Sequence, residues 1–309
     1  MEKHDATVVV IGGATADIDG FVEHELIART SNPGKIKVSS GGVGRNIAEN
    51  LVRLGINTKL ITALGNDTFG KQVLDDCTRC GMDTQHIILP DGYTTSMYIA
   101  LHNQQKEMVL AVSQLDALEA INPAFIQKYS SVIRNAALVV LDTNLMQETI
   151  EFLLTRFPDT VFFIDPVSVS KAMKIKPFLK HCHTIKPSKN EAEVLTGIPV
   201  HDNVDLEKSL QCLLSAGVKN VFISLGKEGV AYSDTFVSGR FAPLQTKIIS
   251  DTGAGDAFMA GLVYGYLQRV DCVQSCKIAM AAASLALSHE NTVNPNLSID
   301  LIEERMKQF

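Results

Sequence analysis

The chain has 309 residues, of which 46% are hydrophobic and 20% charged. This is the composition of an ordinary soluble globular protein. The length exceeds that at which one core usually stops growing, so a large α/β domain with an appendage, or two domains, is expected. A formal charge of −6, no tryptophan and only 6% aromatics supply neither a basic track for a phosphate backbone nor a base-stacking platform, which argues against nucleic acid as a partner.

The first residues, Met1-Glu2-Lys3-His4-Asp5, lead directly into Val8-Val9-Val10-Ile11. No basic segment with a long apolar core and a cleavage site is visible. No apolar run reaches the about 18 residues of a membrane span. A cytoplasmic protein with no membrane contact is therefore expected. Runs rich in Val, Ile, Leu and Phe recur at 7–11, 59–63, 137–141, 161–164, 184–185 and 220–224. They have the character of strands covered on both faces, and helical segments separate them. The predicted fold class is α/β, a doubly wound, mostly parallel sheet with helices on both faces.

The stretch 44–54 shows the helical logic. Ile47, Leu51 and Leu54 form an apolar stripe, Arg45, Glu49 and Arg53 fall on the other side, and Gly55 follows as a stop. Two stretches break the strand–helix rhythm. Residues 14–40 contain short extended pieces around Gly20, Pro33 and Gly34. Residues 94–112 read as a hairpin, with strands at 96–101 and 107–112 around a polar turn. A small antiparallel sheet built from both would project from the main one; the alternative is an irregular excursion on the same domain. The six cysteines, Cys77, Cys80, Cys182, Cys212, Cys272 and Cys276, show no disulfide spacing, and Cys77-Thr78-Arg79-Cys80 lacks the second ligand pair a zinc site needs.

The segment Ser250-Asp251-Thr252-Gly253-Ala254-Gly255-Asp256-Ala257-Phe258 carries the most chemistry. It precedes an apolar helical run, with Asp251 and Thr252 as candidate caps. Gly253, Ala254 and Gly255 let the backbone turn its N–H groups toward a close ligand, and a helix N-terminus favours an anion. Asp256 beside an anion site needs a task, and accepting a hydroxyl proton during phosphoryl transfer is one. The helix N-terminus is expected to lower its pKa, which a loose transition state tolerates. There is no GxxxxGK[ST], no protein-kinase motif, no HExxH and no GxSxG, and Ile11-Gly12-Gly13-Ala14-Thr15-Ala16-Asp17 fails the dinucleotide pattern.

Three motifs in order, Gly12-Gly13-Ala14-Thr15-Ala16-Asp17, Gly41-Gly42-Val43-Gly44-Arg45-Asn46 and Asp251-Thr252-Gly253-Ala254-Gly255-Asp256, resemble the PfkB (ribokinase-like) family of carbohydrate kinases along the whole chain. The resemblance implies a single kinase domain over 1–309, with a β-lid from about 14–40 and 94–112. It implies a catalytic group of Asp256 with Gly253, Ala254 and Gly255, and a sugar held by Asp17, Gly41, Gly42 and Asn46. A carboxylate at 17 suits a vicinal diol, since it accepts two hydrogen bonds in one plane. ATP and Mg²⁺ are the implied cofactors; a monovalent cation and a homodimer formed through the lid are compatible with it.

The family's N-x-x-E magnesium motif is altered. With Lys186-Pro187 before and Leu195-Thr196-Gly197 after, Ser188 stands where the family has Asn and Glu191 is the Glu; Asn190 to Glu193 is a second register. Ser188, Ser224 and Gly226 are the expected nucleotide contacts, and Glu191 the metal contact, acting through water. Fine details resemble the pseudouridine kinase branch: the Gly-Val-Gly-Arg-Asn form of the first signature, Asp142-Thr143-Asn144-Leu145 and Asp165-Pro166-Val167-Ser168. That branch implies transfer to the 5′-hydroxyl of pseudouridine, with base-facing positions around 96–98 and Ser113. The alternatives are a ribokinase or purine-nucleoside kinase on the same scaffold, and an inactive sugar sensor.

Overall fold

The structure, a computed structural model, describes residues 6–309; the start of the chain, 1–5, lies outside the described residues. In chain order the strands are β1 (Val8–Ile11), β2 (Thr15–Val22), β3 (Gly34–Gly41), β4 (Thr58–Ala63), β5 (Ile87–Ile88), β6 (Met97–His102), β7 (Met108–Gln114), β8 (Leu138–Asp142), β9 (Phe162–Asp165), β10 (Thr184–Ile185), β11 (Asn220–Ser224), β12 (Val230–Ser233) and β13 (Ser238–Phe241). Nine of them form the main sheet in the order β13-β12-β11-β10-β9-β8-β1-β4-β5. Only β12 and β13, at one edge, run antiparallel to their neighbours.

Alternation along each central strand divides the core. Val8, Val10, Leu138 and Val140 face the helices Val43–Arg53, Ala254–Leu267 and Cys272–Leu287. Val9, Ile11, Val139 and Leu141 face the helices Gln147–Arg156 and Asn203–Ser215. Both faces are buried, which is why these strands read as unbroken apolar runs. β1 pairs with β4 on one side and β8 on the other. The chain thus winds outward in both directions from β1, and such a switch point leaves a crevice beyond the carboxyl ends of the strands. No helix among the described residues is long and apolar enough to cross a membrane.

The two stretches that break the rhythm meet in a separate four-stranded sheet, β3-β2-β6-β7. The hairpin forms as expected, closed by the Asn103–Glu107 turn. The sheet is not wholly antiparallel, because β2 pairs with β6 in parallel. A parallel pair needs a long crossover, and the chain between β3 and β6 supplies one by passing through β4 and its two flanking helices. The polar side of the helix Val43–Arg53 is largely covered. Arg45 and Glu49 are buried as an ion pair, and Arg45 Nη1 donates to the Ser40 carbonyl at 3.3 Å. These contacts bind the small sheet to the helix that opens the site.

Candidate active site

The carboxyl edge of the main sheet gathers the polar residues. Gly12 and Gly13 follow β1, Asp142 closes β8, Asp165 closes β9, Lys186 follows β10, and Ser224 closes β11. Asp142 is buried, and one of its oxygens accepts from the backbone N–H groups of Gly13 and Gly44, each at 2.7 Å. Its other oxygen accepts from Asn144 N–H at 2.9 Å. One carboxylate therefore fixes the exit of β1 against the start of the helix Val43–Arg53. Burial raises its pKa above the usual carboxylate range, although the Gly13 and Asn144 hydrogen bonds act in the opposite sense.

Gly253 caps the helix Ala254–Leu267 in a left-handed conformation, φ 78°, without a side-chain cap. The expected caps do not act there; the Thr252 hydroxyl instead meets the Ser250 hydroxyl at 2.8 Å. The first N–H groups of this helix are left for an external acceptor, as an anion site requires. Asp256 stands in the first turn, 8% exposed. Its Oδ2 accepts from Asn46 Nδ2 at 3.0 Å, so two motifs separated by 210 positions meet directly.

The expected fall in the Asp256 pKa does not occur. Burial, reinforced by the neighbouring Asp165 and more weakly by Asp142, pushes it up to about 8, against the Asn46 hydrogen bond and the Lys186 charge. Removing a carboxylate from water outweighs the dipole of one helix end. A carboxylate so placed is a stronger base than the sequence implies.

Asp17 lies on β2, where its Oδ1 accepts from the Thr15 hydroxyl at 2.6 Å. Burial raises its pKa too. Gly41, on the adjacent strand, makes room for it, since a Cβ there would sit 1.8 Å from Asp17 Oδ2. Gly42 caps the helix Val43–Arg53 at φ 93°. Asp17, Gly41, Gly42, Asn46, Asp256 and the Gly253–Gly255 loop thus line one corner between the small sheet and the two helix starts. Ser188 and Ser224 are joined by an isolated parallel bridge, and Gly226, φ 59°, lies in the turn that follows β11.

The structure separates the two registers of the magnesium motif. Glu193 turns away to accept from Val200 N–H at 2.9 Å. Glu191 and Ser188 form a capping box: Ser188 N–H donates to Glu191 Oε2 at 2.8 Å, and Glu191 N–H donates to Ser188 Oγ at 3.4 Å. Among the described residues, no three metal-ligating side chains cluster. This donor set fits a magnesium ion that keeps most of its waters and is held chiefly by phosphate oxygens, with Glu191 as the nearby carboxylate.

Two buried polar positions at this edge escape a reading of the sequence, Asp165 and Lys186. Lys186 is only 8% exposed and pairs with Asp165 Oδ2 at 3.1 Å. A Cβ placed on Gly255 would lie 3.0 Å from its Nζ. The available signal was position: a polar residue immediately after a buried apolar strand faces the carboxyl-edge crevice.

Residues 5–299 match the model of the pfkB family carbohydrate kinases. The chain is 37% identical to a pseudouridine kinase of Escherichia coli (strain K12), over 94% of each protein. It is 25% identical to a guanosine-inosine kinase of Exiguobacterium acetylicum, covering 94% of this chain and 97% of that one. A ribokinase of Arabidopsis thaliana, solved with ribose and ATP, superposes with a TM-score of 0.82 at 18% identity, over 98% of this chain and 99% of that one. The chain belongs to the pfkB family of carbohydrate kinases. It is a phosphotransferase with an alcohol acceptor, a kinase of sugars or nucleosides.

Proposed function

We propose that this protein transfers the γ-phosphoryl group of ATP to the 5′-hydroxyl of a ribosyl nucleoside, with pseudouridine as the preferred acceptor. The observation that carries the reading is the union of an uncapped helix N-terminus with the Asn46–Asp256 hydrogen bond. One element aims N–H groups at an anion, and its first turn presents a buried base to a nearby hydroxyl. Asp17 and the Gly41–Gly42 turn hold the ribose. The hydroxyl proton passes to an Asp256 oxygen, and the N–H groups after Gly253 take up charge on the transferred phosphoryl. Bound magnesium would supply further neutralisation of that charge, with Glu191 near it.

The small sheet serves as the lid, and its inner face sets the acceptor. Asp17, Tyr98 and Ser113 occupy paired positions across three strands, so they share one side of the sheet. A base that meets Tyr98 and Ser113 orders the lid, and alignment is what phosphoryl transfer mainly requires. The pseudouridine assignment draws on the 37% identical relative. The measurement is kcat/KM for pseudouridine, uridine, guanosine, adenosine and ribose under one set of conditions. Pseudouridine should lead, and ribose should turn over poorly even at saturation because it lacks the base. A tenfold advantage for a purine nucleoside or ribose, about 1.4 kcal/mol in the transition state, would overturn the acceptor and leave the kinase.

The outer face of the lid supports a homodimer. Ile36, Val38, Ile99, Leu101, Leu110 and Val112 share that face and are all exposed. A continuous apolar sheet face of this kind is a docking surface in a stable protein, and a second lid is the complementary partner. Sedimentation should give twice the mass of 33.6 kDa, and Val112→Lys should shift it toward the monomer. A wild-type monomer at micromolar concentration removes this assembly.

A further inference from the structure

Beyond Asp17, the same side of the small sheet carries a second carboxylate that no step above uses. Residues two apart on a strand share a face at a spacing of about 7 Å. Asp19 therefore follows Asp17 toward the lid tip, level with Ala100 and Ala111 on the neighbouring strands. One row further, Phe21 pairs with His102, and their rings stack at 4.6 Å between centroids. His102 Nε2 lies 2.8 Å from Asp19 Oδ1. An ionised carboxylate only accepts, so Nε2 carries the proton and donates. His102 Nδ1 is buried without a partner, an arrangement that costs stability. An apolar pair of the same volume would join β2 to β6 without that cost. What the histidine adds is its hold on the carboxylate: it fixes one oxygen and leaves the other, Oδ2, with no hydrogen bond from any described residue.

The surroundings of that free oxygen suit the edge of a base. Tyr98 lies opposite Asp17, and its hydroxyl reaches Met108 Sδ at 3.3 Å, on the row of His102. The ring therefore runs along the row of Asp19, where Ala100 and Ala111 contribute only methyl groups. Burial raises the Tyr98 phenol above its ordinary pKa, and the charges of Asp17 and Asp19 add to the rise, so both carboxylates are within electrostatic reach of one ring. A flat base stacked there, joined to a ribose whose hydroxyls bind Asp17, turns one edge toward Asp19. The spacing of the two carboxylates is comparable to the span from the ribose hydroxyls to the far side of an attached six-membered ring.

We propose that Asp19 is the residue that separates pseudouridine from uridine, its free oxygen accepting the N1–H that only the carbon-linked base presents, with His102 as its positioning residue. This rests on the acceptor reading above. In uridine N1 carries the sugar, and the edge that meets Asp19 is a C5–H. The carboxylate then loses water without gaining a donor, and a polar group left unpaired is a strong means of rejecting a near-identical substrate. The two nucleosides are isomers of almost the same shape. Pocket size cannot separate them, whereas one acceptor at one edge does. Asp19 takes no part in the transfer step itself.

The test uses three acceptors that differ at this edge: pseudouridine, uridine, and N1-methylpseudouridine, which keeps the carbon linkage but lacks the N1–H. Their kcat/KM values, with ATP and magnesium, are measured for wild type, Asp19→Ala and His102→Leu. Wild type should favour pseudouridine over each of the others by at least about tenfold, the range of a hydrogen bond to a charged acceptor. In Asp19→Ala the three should fall within a factor of about three of one another. His102→Leu frees the carboxylate but leaves its charge, so it should keep more of the preference than Asp19→Ala. Wild type that takes uridine or N1-methylpseudouridine as well as pseudouridine overturns the assignment with no variant needed, so a misfolded variant cannot shield it. A preference that survives Asp19→Ala overturns it too. So do equal losses of preference in the two variants, which would make the pair a structural clamp of the lid. Wild type that phosphorylates ribose or a purine nucleoside but neither pyrimidine nucleoside would instead overturn the acceptor reading on which the assignment rests.

Discussion

Asp256→Asn should lower kcat by about 10²- to 10⁴-fold, the range for a positioned acid–base group, while the protein stays folded and binds ATP as before. The helix N-terminus survives the change because Gly253, not residue 256, forms its cap. The substituted amide can still accept from Asn46, so the corner keeps its shape. The same carboxyl also sets the pH dependence. With its pKa pushed up to about 8, only a minority is ionised at neutral pH. The wild-type kcat/KM should rise with pH, roughly tenfold per unit well below that value, and level off above it; the variant should show no such limb. A limb centred near pH 4 would mean that Asp256 is an exposed, ordinary carboxylate.

Stability should move the other way. The folded-state pKa lies above that of an unfolded chain, so the contribution of Asp256 is fully present below the unfolded value of about 4. It is lost progressively as pH rises through the folded value of about 8. Asparagine carries no such loss. Thermal unfolding followed across pH 4 to 9 should show the variant gaining on the wild type, a cost of function of the kind active sites carry. A wild type that gains on the variant with rising pH would sink the burial argument.

Gly253→Ala should be nearly as damaging to turnover, with a loss of about 10²-fold or more, although it adds a single methyl group. Two physical demands meet there. The residue lies at φ 78°, where a side chain costs of order 1–3 kcal/mol. Its Cβ would also sit 1.8 Å from the Thr292 carbonyl oxygen, far inside any real contact. The loop must shift, and the N–H groups at the start of the helix, proposed to face the phosphoryl, shift with it. Kinetics with a thermal melt separate the effects: the melt should fall by a few degrees while kcat/KM collapses. Gly55→Ala is the control, being at φ 74° with open space around its Cβ; it carries the conformational strain alone and should leave kcat intact. Equal, small effects at both positions would show that the Gly253 loop is not tightly held against its anion.

Periodicity and loop chemistry by themselves determine much of this protein. Unbroken apolar runs implied strands buried on both faces, because a parallel sheet takes helices on either side, and that is how Val8–Ile11 and Leu138–Asp142 are covered. Small residues before Asp256 implied an anion site, since backbone N–H groups are exposed only where side chains are absent. The distance from Asn46 to Asp256 could not be read, because a contact across 210 positions depends on how two helices cross. The sequence-based pKa of Asp256 was wrong in direction for the same reason: the helix end is local and legible, whereas burial and the nearness of Asp165 come from the packed sheet edge. In the sequence Lys186 only sets a register beside Pro187, whereas its place beside Gly255 arises where the ends of β9 and β10 meet the start of a helix almost 70 positions away in the chain. Local pattern decides which segments form and which loops can bind; charge in a protein interior depends on every group within several ångströms, and only the tertiary fold decides which groups those are.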